Sequence, residues 1–255
     1  MTRRKKTVGL LCLAASVLVL GSGCFFHTEV PIPTLEYGSM DASQHKNLII
    51  LLRGLGGSPE DFYKYGLIQD IRTRELPFDI LVPDAHFGYY RSRSLEERLK
   101  KDLIQPAYKK GYQKIWLAGF SMGGLGSLFY LKEHKQDIDG VLLISPFMGW
   151  SRILDQIDSS GGVRTWIPDE ASGDWQQMIW AWVKAYAENP DAYPPIYLGY
   201  GKNDGMTGKG PALLSTCLPD NRVFSVAGGH DYKTFKTIWD MHLDRLQGQF
   251  GQLPR

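Results

Sequence analysis

The stretch that decides the fold runs from residue 115 to residue 126 and reads Ile115-Trp116-Leu117-Ala118-Gly119-Phe120-Ser121-Met122-Gly123-Gly124-Leu125-Gly126. It begins as a short apolar strand and continues as a helix predicted over residues 125–133, with the pattern Gly-x-Ser-x-Gly between them. In a sharp turn of this kind, the residues that flank the serine have to be small so that strand and helix can approach closely. The pattern therefore predicts that Ser121 stands at the tip of the turn, beside helix amides that stabilise negative charge.

Continuous apolar runs of strand length recur on both sides of this turn, as is typical of strands buried on both faces of a parallel sheet. Helical stretches separate most of these runs, so the sequence predicts βαβ units and an α/β fold with a mostly parallel central sheet flanked by helices. The predicted strands are 47–52, 79–82, 114–118, 140–144, 195–198 and 222–226, with an edge strand near 34–37. The last helix is predicted over 231–247, and Pro106 is expected to kink or restart the helix before strand 114–118.

The strand, the Gly-x-Ser-x-Gly turn and the helix together resemble the nucleophile elbow of the α/β-hydrolase family of serine hydrolases. The resemblance covers about residues 46 to 247 and implies the α/β-hydrolase fold. It also implies a catalytic triad in the chain order Ser, acid, His, with Ser121 as the nucleophile. Since one fold hosts many chemistries, the substrate is not specified by these motifs.

The partners of Ser121 are predicted from the loops downstream. A serine hydroxyl needs a base within hydrogen-bond reach, and that base needs an acid to orient it. His230, in a glycine-rich loop after the last predicted strand, is the expected base, and Asp204 occupies the family's usual place for the acid. Asp220 precedes the last strand, and Asp231 adjoins His230 directly, so both are poorer candidates for the acid.

The oxyanion hole requires backbone amides rather than side chains. The family implies the amide of Met122, which follows the nucleophile, and a second amide from the loop after the first core strand. That loop, at residues 53–58, is similar to the family's His-Gly-x-Gly-Gly segment and gives the position to Leu55. Arg53 stands where the family has histidine, which puts the anchoring of the loop in question, and an ordinary glycine-rich turn is the alternative.

A long connection at about residues 147–193 contains five tryptophans and interrupts the alternation of strands and helices. An apolar stripe runs along its predicted helix from Trp175 to Tyr186. In the family, a cap over the active site is inserted here, so Trp175 and Trp182 are predicted substrate contacts, as is His86 after the strand 79–82. The alternative is an ordinary helix packed on the sheet.

The first 23 residues predict an export signal: Arg3 to Lys6 are basic, and an apolar stretch too short for a usual membrane span follows. The run before Cys24 resembles a bacterial lipoprotein processing site, with Gly21 as a departure from the common pattern. The resemblance implies lipidation at Cys24, and an uncleaved anchor is the alternative. Residues 24–45 are then a tether, 46–247 the hydrolase domain and 248–255 a tail. Either way, the domain is expected to be exported and held at a bacterial membrane.

Removal of residues 1–23 takes four of the 29 basic residues, which leaves 25 against 27 acidic residues and a net charge of −2. This net charge does not indicate a nucleic-acid-binding surface. Besides Cys24, the proposed lipidation site, only Cys217 remains in the mature chain, so no internal disulfide is expected. No metal-ligand spacing or nucleotide loop appears, so neither metal nor cofactor is predicted.

The predicted function is hydrolysis of a small-molecule ester or thioester through an acyl-enzyme. A peptidase or a perhydrolase would use the same residues. A non-catalytic ligand-binding lipoprotein on this fold is the alternative from another class.

Overall fold

The computed structural model describes residues 27–169 and 171–250. Within these residues the strands are β1 (Thr34–Tyr37), β2 (Asn47–Leu52), β3 (Phe78–Pro83), β4 (Lys114–Phe120), β5 (Gly140–Ile144), β6 (Ile196–Gly201) and β7 (Val223–Val226). They form one sheet in the order β1-β3-β2-β4-β5-β6-β7. β1 is antiparallel to β3, and all the other neighbours are parallel. The predicted α/β class and its mostly parallel sheet are therefore confirmed.

The α-helices of the described residues are α1 (Asp61–Lys64), α2 (Leu67–Thr73), α3 (Phe87–Arg91), α4 (Leu95–Arg98), α5 (Gln105–Lys110), α6 (Met122–Glu133), α7 (Ser151–Ser159), α8 (Trp175–Glu188), α9 (Gly210–Ser215) and α10 (Tyr232–Phe250). A π-helical segment, Leu99–Ile104, joins α4 to α5, and short 3₁₀ turns lie at Lys135–Asp137, Pro190–Ala192 and Asp220–Arg222. The last helix continues through Phe250 and so extends into the predicted tail. Every helix within the described ranges is too short or too polar to cross a bilayer.

The sheet is covered on both faces, because alternate residues of its strands enter two separate cores. In β2, Leu48, Ile50 and Leu52 belong to one core, to which helices α3 to α9 contribute. Ile49 and Leu51 belong to the other, which α1, α2 and α10 close. All six side chains of β2 are buried. The continuous apolar runs in the sequence are thus explained by burial on both sides.

Pro106 changes the helix type instead of ending the helix. The π-helical segment runs directly into α5, and Pro106 lies in the first turn of α5. Proline has no amide hydrogen, so a helix that passes through it has to give up one regular hydrogen bond. The expected kink or restart is therefore realised as a local π-helical turn.

The long connection at 147–193 is helical, and most of its aromatic stripe is buried. The apolar residues of α8 share one core with sheet residues such as Val141 and Ile196, and the buried members on α8 are Ile179, Trp180, Trp182, Val183 and Tyr186. Met178, predicted on the stripe, is 44% exposed. The buried part of the stripe is therefore core packing, and the role of this helical insertion as a cap over the active site stays a prediction.

A buried histidine in α10 predicts acid sensitivity of the fold. His242 is fully buried, with Nε2 within 3.1 Å of the Leu143 carbonyl, and burial lowers its pKa from 6.5 to about 3. Between those values the unfolded chain binds a proton that the folded protein does not, so the free energy of unfolding falls as the pH falls, by up to about 1.4 kcal/mol per pH unit.

We expect His242→Gln to remove this contribution. Urea unfolding between pH 6 and pH 4 should give a shallower pH dependence for His242→Gln than for the unmodified chain, by about 1.4 kcal/mol per pH unit. Identical slopes for the two proteins would contradict the account, because they would mean that His242 binds protons equally in both states.

Candidate active site

Ser121 occupies a strained turn between β4 and α6. Its φ is 52° and its ψ is −116°, a conformation that residues with a Cβ seldom adopt. A Cβ at Gly119 would clash with the Gly123 carbonyl, and a Cβ at Gly123 would clash with the Leu52 carbonyl. Both glycines of the Gly-x-Ser-x-Gly pattern are therefore required by the close approach of strand, turn and helix. The helix α6 begins at Met122, directly after Ser121, whereas the sequence predicted a start at residue 125.

The structure brings Ser121, His230 and Asp204 together across three strand ends. His230 Nε2 lies 2.9 Å from Ser121 Oγ, and His230 Nδ1 lies 2.7 Å from Asp204 Oδ2. Ser121 and Asp204 are each 7% exposed. A hydroxyl, an imidazole and a carboxylate in this sequence of contacts allow the imidazole to take the hydroxyl proton while the carboxylate stabilises the resulting cation.

The surroundings of Asp204 keep it ionised. Burial opposes the charge, but the hydrogen bonds from His230 and from the Thr207 amide outweigh it and lower the pKa of the carboxyl. Oδ1 accepts from the amides of Met206 at 3.0 Å and Thr207 at 3.1 Å, which leaves Oδ2 for the histidine. An ionised carboxylate only accepts, so Nδ1 of His230 carries the hydrogen and Nε2 is free to accept from Ser121.

The loop that carries His230 is tied to the loop that carries Asp204. The Asn203 amide donates to the Gly228 carbonyl at 3.0 Å, and Gly228 has a φ of 137°, which favours glycine. The imidazole of His230 packs edge-on against Phe235 in the first turn of α10, with ring centroids 4.9 Å apart. The base is thus fixed from both sides before any substrate binds.

The glycine-rich loop after β2 packs directly against the nucleophile. A Cβ on Gly54 would lie 3.2 Å from the Ser121 Cβ and 3.8 Å from its Oγ. Leu55, the predicted oxyanion donor, follows immediately, and its side chain is 67% exposed. Met122, the other predicted donor, is the first residue of α6. Both main-chain segments therefore lie beside the Ser121 side chain.

Arg53 anchors this loop, a role that its sequence position did not reveal. Its guanidinium donates to the Gly57 carbonyl and, through Nε at 2.8 Å, to Asp84 just beyond β3. The side chain is 10% exposed. Arginine supplies several donors in a rigid fork, so it holds the turn by the carbonyl of its last glycine.

A second contact joins the glycine-rich loop to the histidine loop. Asp61 Oδ2 accepts from the Ser58 amide at 2.9 Å and from the Tyr232 hydroxyl at 3.3 Å. Tyr232 also stacks on Tyr65 with ring centroids 3.7 Å apart. Because Tyr232 lies two residues after His230, this contact links the loop with the predicted oxyanion donor to the loop with the base. The sequence offered no signal for this pairing.

Two of the predicted substrate contacts, His86 and Trp175, lie close to the carboxyl ends of the parallel strands. His86 caps α3 after β3, where its Nδ1 accepts from the Gly88 amide at 3.0 Å. Trp175 lies at the start of α8 and packs against Phe147, with ring centroids 6.3 Å apart. The Phe147 amide donates to the Ser121 carbonyl at 2.9 Å. Both predicted residues thus lie at the edge that carries Ser121.

Trp182 lies at the other edge of the sheet. Two turns after Trp175, it packs against Tyr193 with ring centroids 5.8 Å apart, and Tyr193 lies three residues before the first residue of β6. Its side chain is buried. Helix α8 therefore runs antiparallel to the strands and carries Trp182 away from Ser121. A substrate contact at Trp182 stays a prediction, and this placement argues against it.

No group of His, Cys, Asp or Glu side chains within residues 27–169 and 171–250 has the arrangement of a metal site. Cys217 is buried as a free thiol. The predicted lipidation residue, Cys24, and the signal segment lie outside the described residues.

Comparison with known proteins identifies the fold. The sequence model for the alpha/beta hydrolase fold matches residues 47–161. A ferulic acid esterase structure superimposes with a TM-score of 0.58 and 16% identity, over 85% of this chain and 92% of that one. The S-formylglutathione hydrolase of Agrobacterium tumefaciens gives 0.57 and 13%, over 88% and 93%. The monoacylglycerol lipase of Paleococcus ferrophilus gives 0.55 and 15%, over 85% and 98%.

Among curated protein sequences, none matches this chain. At such low identities the likeness to solved structures concerns the fold, and it agrees with the sheet order and the turn at Ser121 described above. The protein has the α/β-hydrolase fold.

Proposed function

We propose that the protein is a serine hydrolase that cleaves a carboxylic ester or thioester through an acyl-enzyme. The observation that carries the proposal is the chain of short contacts from Ser121 Oγ to His230 Nε2 and from His230 Nδ1 to Asp204 Oδ2, at 2.9 and 2.7 Å. These contacts have the order and the spacing of a nucleophile, a general base and an orienting acid.

In the proposed reaction, His230 Nε2 takes the proton of Ser121 as Oγ attacks the substrate carbonyl carbon. The tetrahedral oxyanion is held by the amides of Leu55 and Met122, and its collapse expels the alcohol or thiol, which receives the proton from His230. Water then attacks the acyl-Ser121 ester, again with His230 as base, and releases the carboxylic acid. Asp204 stays ionised throughout and stabilises the imidazolium.

The similar proteins support ester and thioester chemistry on this fold. One is a ferulic acid esterase, one an S-formylglutathione hydrolase and one a monoacylglycerol lipase. Their names span oxygen esters and a thioester, which differ in the leaving group and leave the acyl transfer to serine unchanged. We therefore include both in the proposed substrate class.

The test is a set of p-nitrophenyl esters of increasing acyl length with matching thioesters and anilides. Hydrolysis of esters or thioesters that is abolished by Ser121→Ala supports the proposal. Cleavage confined to anilides would indicate a peptidase instead. Ligand binding with no turnover of any of the three would indicate a binding protein on this fold.

The N-terminal region is proposed to carry a lipid anchor on Cys24. Its basic, apolar and small-residue segments precede Cys24 in the order of a lipoprotein signal. The mature domain would then begin at Cys24, exported from the cytoplasm and held at a bacterial membrane.

We expect the Cys24→Ser protein to accumulate as an unlipidated precursor, because the sulfur atom of Cys24 is the one that would be alkylated. Intact-mass spectrometry of the membrane fraction would show a diacylglyceryl adduct on the wild-type chain and none on the Cys24→Ser variant. Cys217→Ser serves as the matched control and should be lipidated normally. An unmodified Cys24 in the wild-type membrane fraction would contradict the prediction.

A further inference from the structure

Large apolar side chains are exposed around the mouth of the proposed active site. Leu55 is 67% exposed, Trp150 is 62% exposed and Met206 is 70% exposed. Each follows the carboxyl end of a different parallel strand, namely β2, β5 and β6. We call these three residues the apolar rim. Apolar side chains grouped in this way on one side of a soluble domain are typical of a surface that meets an apolar partner.

Two members of the rim are one contact away from the nucleophile. Leu55 adjoins Gly54, which packs on the Ser121 side chain. The Trp150 ring packs against Phe147 with centroids 4.8 Å apart, and the Phe147 amide donates to the Ser121 carbonyl. The rim therefore lies at the strand ends beside Ser121, on the side from which a substrate has to approach.

Met206 completes the rim on the side of the acid, since its amide donates to Asp204 at 3.0 Å. A comparably exposed residue lies elsewhere: Ile167 is 84% exposed. It follows Trp166, whose carbonyl accepts from Lys184 in the second half of α8, away from the edge with Ser121. Ile167 therefore serves as a control residue, since it is as exposed as the rim residues but lies away from Ser121.

The chain enters the sheet at this same edge. β1 is antiparallel to β3, and its first residue, Thr34, pairs with Pro83 at the carboxyl end of β3. Upstream of β1, both main-chain groups of Glu29 bond to the Tyr89 hydroxyl of α3, each at 3.0 Å. The segment that leads to the predicted anchor is therefore fastened beside the active-site opening.

The same short helix holds the tether and the elbow. Tyr90, next to Tyr89, donates through its hydroxyl to the Met122 carbonyl at 3.0 Å. From Glu29 only five residues lead back to Cys24, and five extended residues span at most about 17 Å. A globular chain of this length is about 45 Å across. A lipid on Cys24 therefore keeps the membrane near the edge that carries the rim and not the opposite one.

The charge on the tether side fits a phospholipid surface. Arg91 ends α3, Arg93 lies two residues further on, and both are exposed. Cations near a bilayer attract anionic headgroups, while apolar side chains such as those of the rim enter the boundary of the acyl chains.

We infer that the apolar rim is a docking surface for a phospholipid bilayer, so that the active-site opening faces the membrane and draws ester substrates from it. The inference rests on the proposed lipid anchor at Cys24 and on the proposed hydrolase site, whose substrate source it specifies. It commits to a bilayer because the tether leaves the domain near the rim and is too short to place the membrane at the opposite edge.

The orientation can be measured on the full lipidated chain in vesicles of phosphatidylethanolamine and phosphatidylglycerol. Met241, which lies on α10 and is 40% exposed, serves as a second control. Single cysteines in place of Trp150, Met206, Ile167 and Met241 carry an environment-sensitive fluorophore, and nitroxide-bearing lipids act as quenchers. Cys217 is buried and so is not expected to react. We expect strong quenching at positions 150 and 206 and several-fold weaker quenching at positions 167 and 241.

Equal quenching at all four positions, or none at 150 and 206, would overturn the inference. Protection of 150 and 206 without vesicles, together with a dimeric mass, would overturn it in favour of a second copy of the chain. An unmodified Cys24 would overturn it as well. Because quenching requires no turnover, the Ser121→Ala protein gives the same readout, so a failure of the hydrolase proposal is recognised separately.

A second variant connects the surface to substrate supply. Trp150→Gln should lower hydrolysis of a long-chain ester embedded in vesicles by about ten-fold, since burial of one such side chain contributes at least that factor to partitioning. Hydrolysis of a water-soluble acetyl ester should be unchanged. Equal losses on both substrates would contradict a membrane role for the rim.

Discussion

Ser121→Ala is expected to lower kcat/KM for any ester substrate by about 10⁴-fold or more, because loss of the nucleophile removes the acyl-enzyme route. The melting temperature should stay unchanged. Alanine keeps the Cβ, so the strained turn at φ 52° is undisturbed, and the hydroxyl's contact with His230 is the one removed. Steady-state kinetics and thermal unfolding of the purified variant give the two values.

Ser127→Ala is the matched control for that experiment. Ser127 lies in α6 as well, and its buried hydroxyl donates to the Gly123 carbonyl at 3.0 Å. Its removal should lower stability slightly and leave kcat/KM within a few-fold. Substantial hydrolysis by the Ser121→Ala protein, or an equal loss in both variants, would refute the assignment of the nucleophile.

Asp204→Asn is expected to lower kcat by about 10³- to 10⁴-fold through the wrong tautomer of the histidine. The amides of Met206 and Thr207 hold the acceptor oxygen Oδ1 in place, so the new NH₂ group points at His230 Nδ1. Nδ1 then has to accept, the hydrogen moves to Nε2, and His230 loses its ability to take the proton of Ser121. KM should change little, since Asp204 does not touch the substrate.

Asp231→Asn is the control for Asp204→Asn, since Asp231 is the neighbouring acid that the sequence also offers. Its carboxylate accepts from the Thr234 amide at 2.8 Å at the start of α10, and asparagine can make the same helix cap. Activity should therefore be retained. A larger loss for Asp231→Asn than for Asp204→Asn would reverse the assignment of the acid.

The sheet could be predicted closely because its signal is local. Continuous apolar runs bounded by polar and turn residues gave the limits of β1, β2 and β5 without error. β6 extends three residues further than predicted. The prediction ended too early because the last part of the strand, Gly199 to Gly201, is rich in glycine. Those glycines weaken the apolar pattern, yet a Cβ at Gly201 would clash with the histidine loop. The close packing of two loops is a tertiary requirement that periodicity does not reveal.

The packing of α8 and the anchoring by Arg53 lay beyond prediction for a related reason. An apolar stripe such as that from Trp175 to Tyr186 indicates that one face is buried, but not whether sheet or cleft buries it. Arg53 departs from the family's histidine, and its hydrogen bonds to the Gly57 carbonyl and to Asp84 are what show that it holds the loop. Contacts between residues far apart in the chain decide both cases.

The most direct test of the central claim is reaction with a fluorophosphonate followed by mass spectrometry of the peptides. The account predicts one adduct, on the peptide that contains Ser121, formed rapidly by the unmodified chain and at least a thousand-fold more slowly by His230→Ala, because the base that activates the hydroxyl is missing. An unmodified Ser121 peptide, an adduct on another residue, or equal labelling of His230→Ala would contradict it.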